Sequence, residues 1–252
     1  MSPELSEQLA ALPDGPHHST SPQYKFTNTR EVVKRFEDLP FPLHPGRLVR
    51  SAFRTPDGAY GPHRVDFGLP RASPTVFGGL DHLSPRAYLY NTYDGAHRPR
   101  LLVGFSRAIG SETLDTQVAD LEWVPGTAPE EWAIREELAR IEATIQRAKE
   151  IRPSQDRVLW MASEAAGLRA DEKEVYKTPP ANLLLPRRVE DAGVDLWSRW
   201  KTVQENLLVG GIPCSSQDGR SRALRAVTHL HKSRMLNLGL WAILEALLKD
   251  EE

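Results

Sequence analysis

Apolar and polar positions follow two different rhythms along this chain. Up to about residue 126 the apolar residues fall in short runs bounded by Pro, Gly and Asp, the pattern of strands and turns. Beyond it, Ile134, Leu138, Ile141, Ile145 and Ala148 recur at spacings of four and three, the period of one helix face. In the first half, Thr29 is expected to cap a short helix in which Val32, Val33 and Phe36 share one side, with Pro40 and Pro42 stopping it. β-prone runs follow at 48–53 and 63–67, separated by the turn signal Pro56-Asp57-Gly58. The clearest strand pair is Tyr88-Leu89-Tyr90-Asn91-Thr92 with Leu101-Leu102-Val103-Gly104-Phe105. The Asp94-Gly95 step between them accepts positive φ cheaply, so the pattern predicts a β-hairpin. A further strand is expected within 117–124.

In the second half, Thr127-Ala128-Pro129-Glu130 reads as a capping box with an early proline, and Pro153 ends the helix it opens. A shorter helix is expected over 154–166, with Gly167 as its stop. Another spans 195–209, with Trp197, Trp200 and Leu207 on one side, until Gly210-Gly211 breaks it. The last runs from about 233 to 249, with Leu236, Leu240, Ile243, Leu244 and Leu247 as core positions. Strands first and helices second predict an α+β fold: a β-rich N-terminal half with an antiparallel hairpin, packed against a mainly helical C-terminal half. Residues 1–23 are rich in Ser, Pro and His without periodicity. They are expected to form a flexible arm, leaving 24–252 as a single α+β domain, β-rich over 24–126 and helical over 127–249.

Composition narrows the setting more than the activity. The 252 residues carry 32 Lys and Arg against 34 Asp and Glu, which argues against a wholly basic surface but leaves room for local patches. Cys214 is the only cysteine, so no disulfide framework forms within one chain and a reducing cytoplasm is the expected compartment. The first fifteen residues lack the basic and apolar regions of a secretory signal, and no apolar run is long enough for a bilayer, so no membrane partner is expected.

Candidate chemistry is sparse. Neither a P-loop nor a G-x-G-x-x-G motif occurs. His229 and His231 share a strand-like spacing without a third ligand close in sequence, and nothing fixes a base beside Cys214. No metal, cofactor or catalytic set is assigned, and enzymatic activity stays an open question. The strongest signal is charge. Residues 219–234 carry Arg220, Arg222, Arg225, Lys232 and Arg234 with no acid among them, a pattern that suits water or a polyanion such as phosphate. Arg98, Arg100 and Arg107 lie in or beside the expected hairpin, next to Tyr88, Tyr90 and Tyr93, which serve either as stacking faces or as core. A solvated loop and an acidic protein partner are the competing readings of the same charge.

Several blocks also follow one another in an order met elsewhere. They are Ser21-Pro22-Gln23-Tyr24 with 27–33; Asn91-Thr92-Tyr93-Asp94-Gly95; Gly104-Phe105-Ser106-Arg107; and Leu184-Leu185-Pro186-Arg187-Arg188 with Asp191. Further on come Asp195-Leu196-Trp197, then Gln204, Glu205 and Asn206 with Gly210-Gly211, then Arg225-Ala226-Val227, and finally Asn237 to Trp241. In these the chain resembles a phage- and plasmid-borne family, domain of unknown function 932. Thr92 and Tyr93 replace the Ser-His pair usual in that family, and Gly110, Glu112 and Thr113 stand where it has Cys and Asn-Gly, so no histidine or thiol role carries over. What the resemblance implies is context: a mobile-element accessory protein of DNA metabolism. Combined with the basic segments, it leads to the expectation of nucleic-acid binding, with single-stranded DNA as one form, through the basic loop and hairpin. A non-catalytic interaction or host-takeover and defence factor, and a hydrolase, remain alternatives, and self-association into a homo-oligomer stays open.

Overall fold

The period-two runs of the first half become a sheet of five antiparallel strands in the order β1-β2-β3-β4-β5. The computed structural model describes residues 1–39, 43–50, 60–69, 83–110, 112–121, 123–124, 127, 129–169, 176–216 and 220–250. The strands are β1 (His44–Arg50), β2 (His63–Gly68), β3 (Ser84–Asn91), β4 (Arg100–Ile109) and β5 (Glu112–Leu121). The predicted hairpin is β3 with β4, pairing Tyr88 with Leu102 and Leu89 with Leu101. Gly95 in its turn takes φ +76°, the conformation the Asp-Gly step anticipates. The turn signal at residues 56–58 lies outside the described residues.

The chain divides into two compact units where the pattern predicts one domain. One comprises Met1–Ile141 with His229–His231, the other Glu142–Thr228 with Lys232–Glu252. The first boundary falls inside a continuous helix, α3 (Glu131–Glu150), so no linker marks it in the sequence. Residues 1–23 also depart from the expected arm. Ser2 accepts a hydrogen bond from Leu5 N and Pro3 opens helix α1 (Pro3–Ala10), which buries Leu5 and Leu9 and packs on β1. Leu5 and Leu9 are one helical turn apart, a signal too short to stand out beside the Pro, Ser and His around it.

Alternation along the strands sorts one sheet face as apolar. Val65, Phe67, Leu89, Leu101, Val103 and Phe105 are all buried, as are Val32, Val33 and Phe36 of α2 (Thr29–Glu37). Phe36 meets Phe67 with ring centroids 5.4 Å apart. The cap of α2 is Asn28, which accepts from Arg30 N at 3.0 Å, and not Thr29, whose side chain is drawn inward.

The other face is polar and the sheet curls around it. In a flat sheet β1 and β5 would lie four spacings of roughly 4.8 Å apart, beyond the joint reach of an arginine and an aspartate. Yet Arg47 of β1 donates to Asp115 of β5 at 2.5 Å. A register shift between Val103 and Gly104, where β4 pairs β5, contributes to the bend.

The second unit contains most of the helices: α4 (Gln155–Arg169), the short α5 (Pro180–Leu183), α6 (Leu196–Val209) and most of α7 (Leu230–Lys249). α4 runs through Gly167 rather than ending there. Asp195 caps α6 by accepting from Ser198 N at 2.9 Å. Trp197 stacks on Trp200 at 5.0 Å, and Trp200 meets the Trp241 ring edge-on at 5.8 Å, so all three tryptophans form one core. A three-stranded sheet, β6 (Tyr176–Lys177), β7 (Pro213–Ser216) and β8 (Ser221–Ala223), has no counterpart in the sequence pattern, because its strands are too short to show a period. The α+β class is borne out by the sheet of the N-terminal half and the helices of the C-terminal half.

Candidate functional site

Gly210 and Gly211 decide how the basic segment is held. Both have positive φ, +72° and +81°, and a Cβ at Gly210 would lie 2.4 Å from the Leu224 carbonyl oxygen. The glycines therefore end α6 and admit a second chain segment against it. Gly211 N donates to Leu224 O at 2.6 Å, Leu224 N to Ile212 O at 2.8 Å, and Val227 N to Leu208 O at 2.8 Å. Arg169 of α4 donates to the carbonyls of Leu207 and Arg225, and its burial holds its pKa below the ordinary arginine value. Residues 221–227 are thus pinned at both ends of their run.

On that pinned backbone the charges separate. Arg222 lies on β8, whose residues are all exposed and which is an edge of its sheet, with Arg222 opposite Cys214. Arg220, Arg225 and Lys232 are exposed as well, whereas Arg234, at 8 % exposure, is buried in α7 and leaves the surface set. Cys214 is itself buried at 3 % and so presents no nucleophile to solvent. His231 stacks on His97 with centroids 4.9 Å apart and rings 2° from parallel, and no group of three or more metal-ligating side chains occurs among the described residues.

The hairpin arginines belong to the other unit and are less available than their sequence suggests. Arg98 is exposed, Arg100 is exposed but ion-paired with Asp120, and Arg107 is buried at 5 %. Alternation places Arg107 on the same side of β4 as Phe105, the apolar side, so it too leaves the surface set. Tyr88, Tyr90 and Tyr93 are buried and offer no stacking platform. Tyr88 and Tyr90 instead lie under the Arg64 guanidinium, whose carbon is 5.0 and 5.9 Å from their ring centroids.

The residues that carry the family resemblance are structural joints. Asn91 Nδ2 donates to Thr27 O and to Thr29 Oγ1, both at 2.8 Å, and Tyr24 Oη donates to Thr92 O at 2.6 Å. Asp94 accepts from Thr92 Oγ1 and from Ala96 N, which closes the turn at Gly95. Burial, followed by the Asp94 carboxylate and Tyr93, pushes the Tyr24 hydroxyl up to about 12. In the second unit, Gln204 Nε2 donates to Asn237 Oδ1 at 2.9 Å, Arg188 grips Glu205 through two bonds of 3.0 and 2.7 Å, and Trp241 Nε1 donates to Glu245. Asn206 ties Leu183 O and Leu185 O to Arg187.

Sequence reasoning missed two sets. One is the network of Arg47, Arg64, Asp66 and Asp115 inside the curled sheet; its only sequence trace is the alternation of Arg64 and Asp66 through an apolar strand. The other is His63, buried on β2. Its Nδ1 faces the Gly61 carbonyl at 3.1 Å, which can only accept, so Nδ1 carries the proton and Nε2 accepts from Thr29 Oγ1 at 2.7 Å. A chain of donors then runs Asn91 to Thr29 to His63 to Gly61.

Burial holds the His63 pKa down at about 4 against an ordinary 6.5. Between those values the unfolded chain binds a proton that the folded chain does not, so stability is complete above about pH 6.5 and is lost as pH falls toward 4. Denaturant titrations over that range should show a decline on the order of 3 kcal/mol, since each tenfold change in proton affinity is worth about 1.4 kcal/mol. A His63→Gln variant that declines equally would refute the assignment.

Two Escherichia coli (strain K12) proteins, UPF0380 protein YafZ and UPF0380 protein YfjQ, are each 28 % identical to this chain over 172 residues, 65 % of this chain and 63 % of the relative. The chain thus covers less than two thirds of either relative's length, and the likeness is to an uncharacterised protein family. No family model matches the chain. No solved structure matches it. Among the described residues no helix is long and apolar enough to cross a membrane.

Proposed function

We propose that this chain is a nucleic-acid-binding accessory protein of DNA metabolism, of the phage and plasmid type that its sequence blocks resemble, with single-stranded DNA among its ligands. The observation that carries the reading is the exposure of Arg222 and Arg225 on a backbone pinned by Gly210, Gly211 and Arg169, with Arg220 and Lys232 exposed on either side of that run. Cations held by a fixed backbone lose less conformational freedom on meeting phosphates than cations on a loose loop. The resemblance to domain of unknown function 932 supports the genomic setting and adds no chemistry of its own. Arg98 adds a further exposed cation in the first unit.

Fluorescence anisotropy with labelled single- and double-stranded oligonucleotides tests this. Four phosphate contacts on a single strand give a log–log salt slope near −3, from roughly −0.7 per contact. The charge reversal Arg222→Glu or Arg225→Glu should weaken binding about tenfold and flatten that slope. Absence of binding at low salt for both kinds of strand rejects the proposal.

A second reading, a protein-interaction factor, draws on Leu159, Trp160 and Leu168, which α4 leaves exposed. Its mark is a partner captured by the wild-type chain and lost with Trp160→Ala while DNA binding persists.

A further inference from the structure

Arg86 stands where a row of side chains is missing. The antiparallel register sets it opposite Gly68 on β2 and opposite Gly104 on β4, so neither neighbouring strand puts a side chain beside it. A Cβ at Gly68 would come within 3.1 Å of Arg86 Nη1, and one at Gly104 would collide with the Thr116 carbonyl oxygen. The gap is part of a cleft of about 240 Å³ on the polar side of the curled sheet, bounded by Arg47, Asp66, Asp115 and Ser106 and by the exposed Gly46 and Thr113.

Charge decides what such a cleft takes. Arg47 and Arg64 both donate to Asp66 and both donate to Asp115, so the two carboxylates are already shared by two guanidinium groups. A metal cation would have to displace those guanidinium groups. Arg86 is different. Its Nε donates to Ser106 Oγ at 3.1 Å, and among the described residues no carboxylate pairs with it. Among the described residues, Arg47, Arg64 and Arg86 outnumber the carboxylates of Asp66 and Asp115 in and behind the cleft, and the Nη atoms of Arg86 carry the excess charge. Because Ser106 Oγ accepts from Arg86, its own proton is left to donate elsewhere.

We propose that this cleft is a binding site for a phosphate group, gripped by the Arg86 fork and by the hydroxyls of Ser106 and Thr113. A carboxylate would be satisfied in the plane of one guanidinium group. Hydroxyl donors from two further positions, on β4 and β5, suit a tetrahedral oxyanion whose remaining oxygens point out of that plane. The site is independent of the nucleic-acid surface proposed for Arg220 to Lys232, since every residue in it belongs to the first unit.

Isothermal titration of the full chain with inorganic phosphate, in the absence of nucleic acid, is the test. Saturable binding to one site is expected. Arg86→Gln should weaken it roughly tenfold or more, the loss of a charge-assisted bond, with an unchanged circular dichroism spectrum. Ser106→Ala should weaken it severalfold, and it serves as the deciding variant should Arg86→Gln fold poorly. No binding at millimolar phosphate, or equal affinity in wild type and variants, overturns the proposal. The source of the phosphate is then read from two arms. A 5′-phosphorylated oligonucleotide that outbinds its 5′-hydroxyl form, with the gain lost in Arg86→Gln and kept in Arg222→Glu, assigns a nucleic-acid end. Binding of a nucleoside monophosphate without that gain assigns a free phosphate ester.

Discussion

Asn206→Ala should destabilise the second unit by about 3–5 kcal/mol, seen as a lower urea midpoint with an unchanged m value. Asn206 is fully buried on α6 and serves three partners at once. Its amide nitrogen donates to Leu183 O and Leu185 O, each at 2.9 Å, and its oxygen accepts from Arg187 Nε at 2.7 Å. Alanine leaves two carbonyls and a guanidinium N–H without these bonds, and an unmet buried polar group costs about 1–3 kcal/mol. Asn206→Asp separates hydrogen bonding from volume. The carboxylate keeps the acceptor for Arg187 but turns lone pairs toward two carbonyl oxygens, so it should also destabilise although its size is unchanged. A loss below about 1 kcal/mol in both variants would mean that the Leu183 to Arg187 segment is not held by this residue.

Arg64→Met is the second large effect, at about 3–5 kcal/mol in the first unit. Arg64 is buried, which works against its charge, but the Asp66, Tyr90 and Asp115 groups around it outweigh that and raise its pKa well above the ordinary arginine value. It donates to Asp66 and Asp115 and covers the rings of Tyr88 and Tyr90. Methionine fills much of the volume but takes from Asp66 and Asp115 the bonds that Arg64 donates. Arg47→Met, by contrast, should cost about 1 kcal/mol, because the Arg47 side chain is half exposed and its pairs are screened by water. Equal losses in the two variants would contradict the account of the curled face as a buried network centred on Arg64.

Local signals carried part of this fold. The Asp94-Gly95 turn between two β-rich runs specified the β3–β4 hairpin, and the four-and-three spacing from Ile134 to Ala148 specified α3. The carboxylate of Asp195 and the pair Gly210-Gly211 set both ends of α6, since capping and chain reversal depend on neighbours within a few residues. α1 and the sheet of β6, β7 and β8 are not legible in the same way. Their stability comes from partners elsewhere in the chain, and their two to eight residues are too few for a period to emerge. The basic segment was legible as a run of charge. Which of its cations meet solvent was not, because Arg222 and Arg234 differ only in what packs around them.

The α+β order, the hairpin, the principal helices and the acid-free stretch from Arg220 to Arg234 are all written in residues near one another. Packing in three dimensions makes Arg107 and Tyr88 interior, brings Arg47 to Asp115 across a curled sheet, and sets Arg86 between two glycines. Those facts depend on strand register and sheet curvature, which bring together residues 18 to 68 positions apart, and no local pattern encodes such distances.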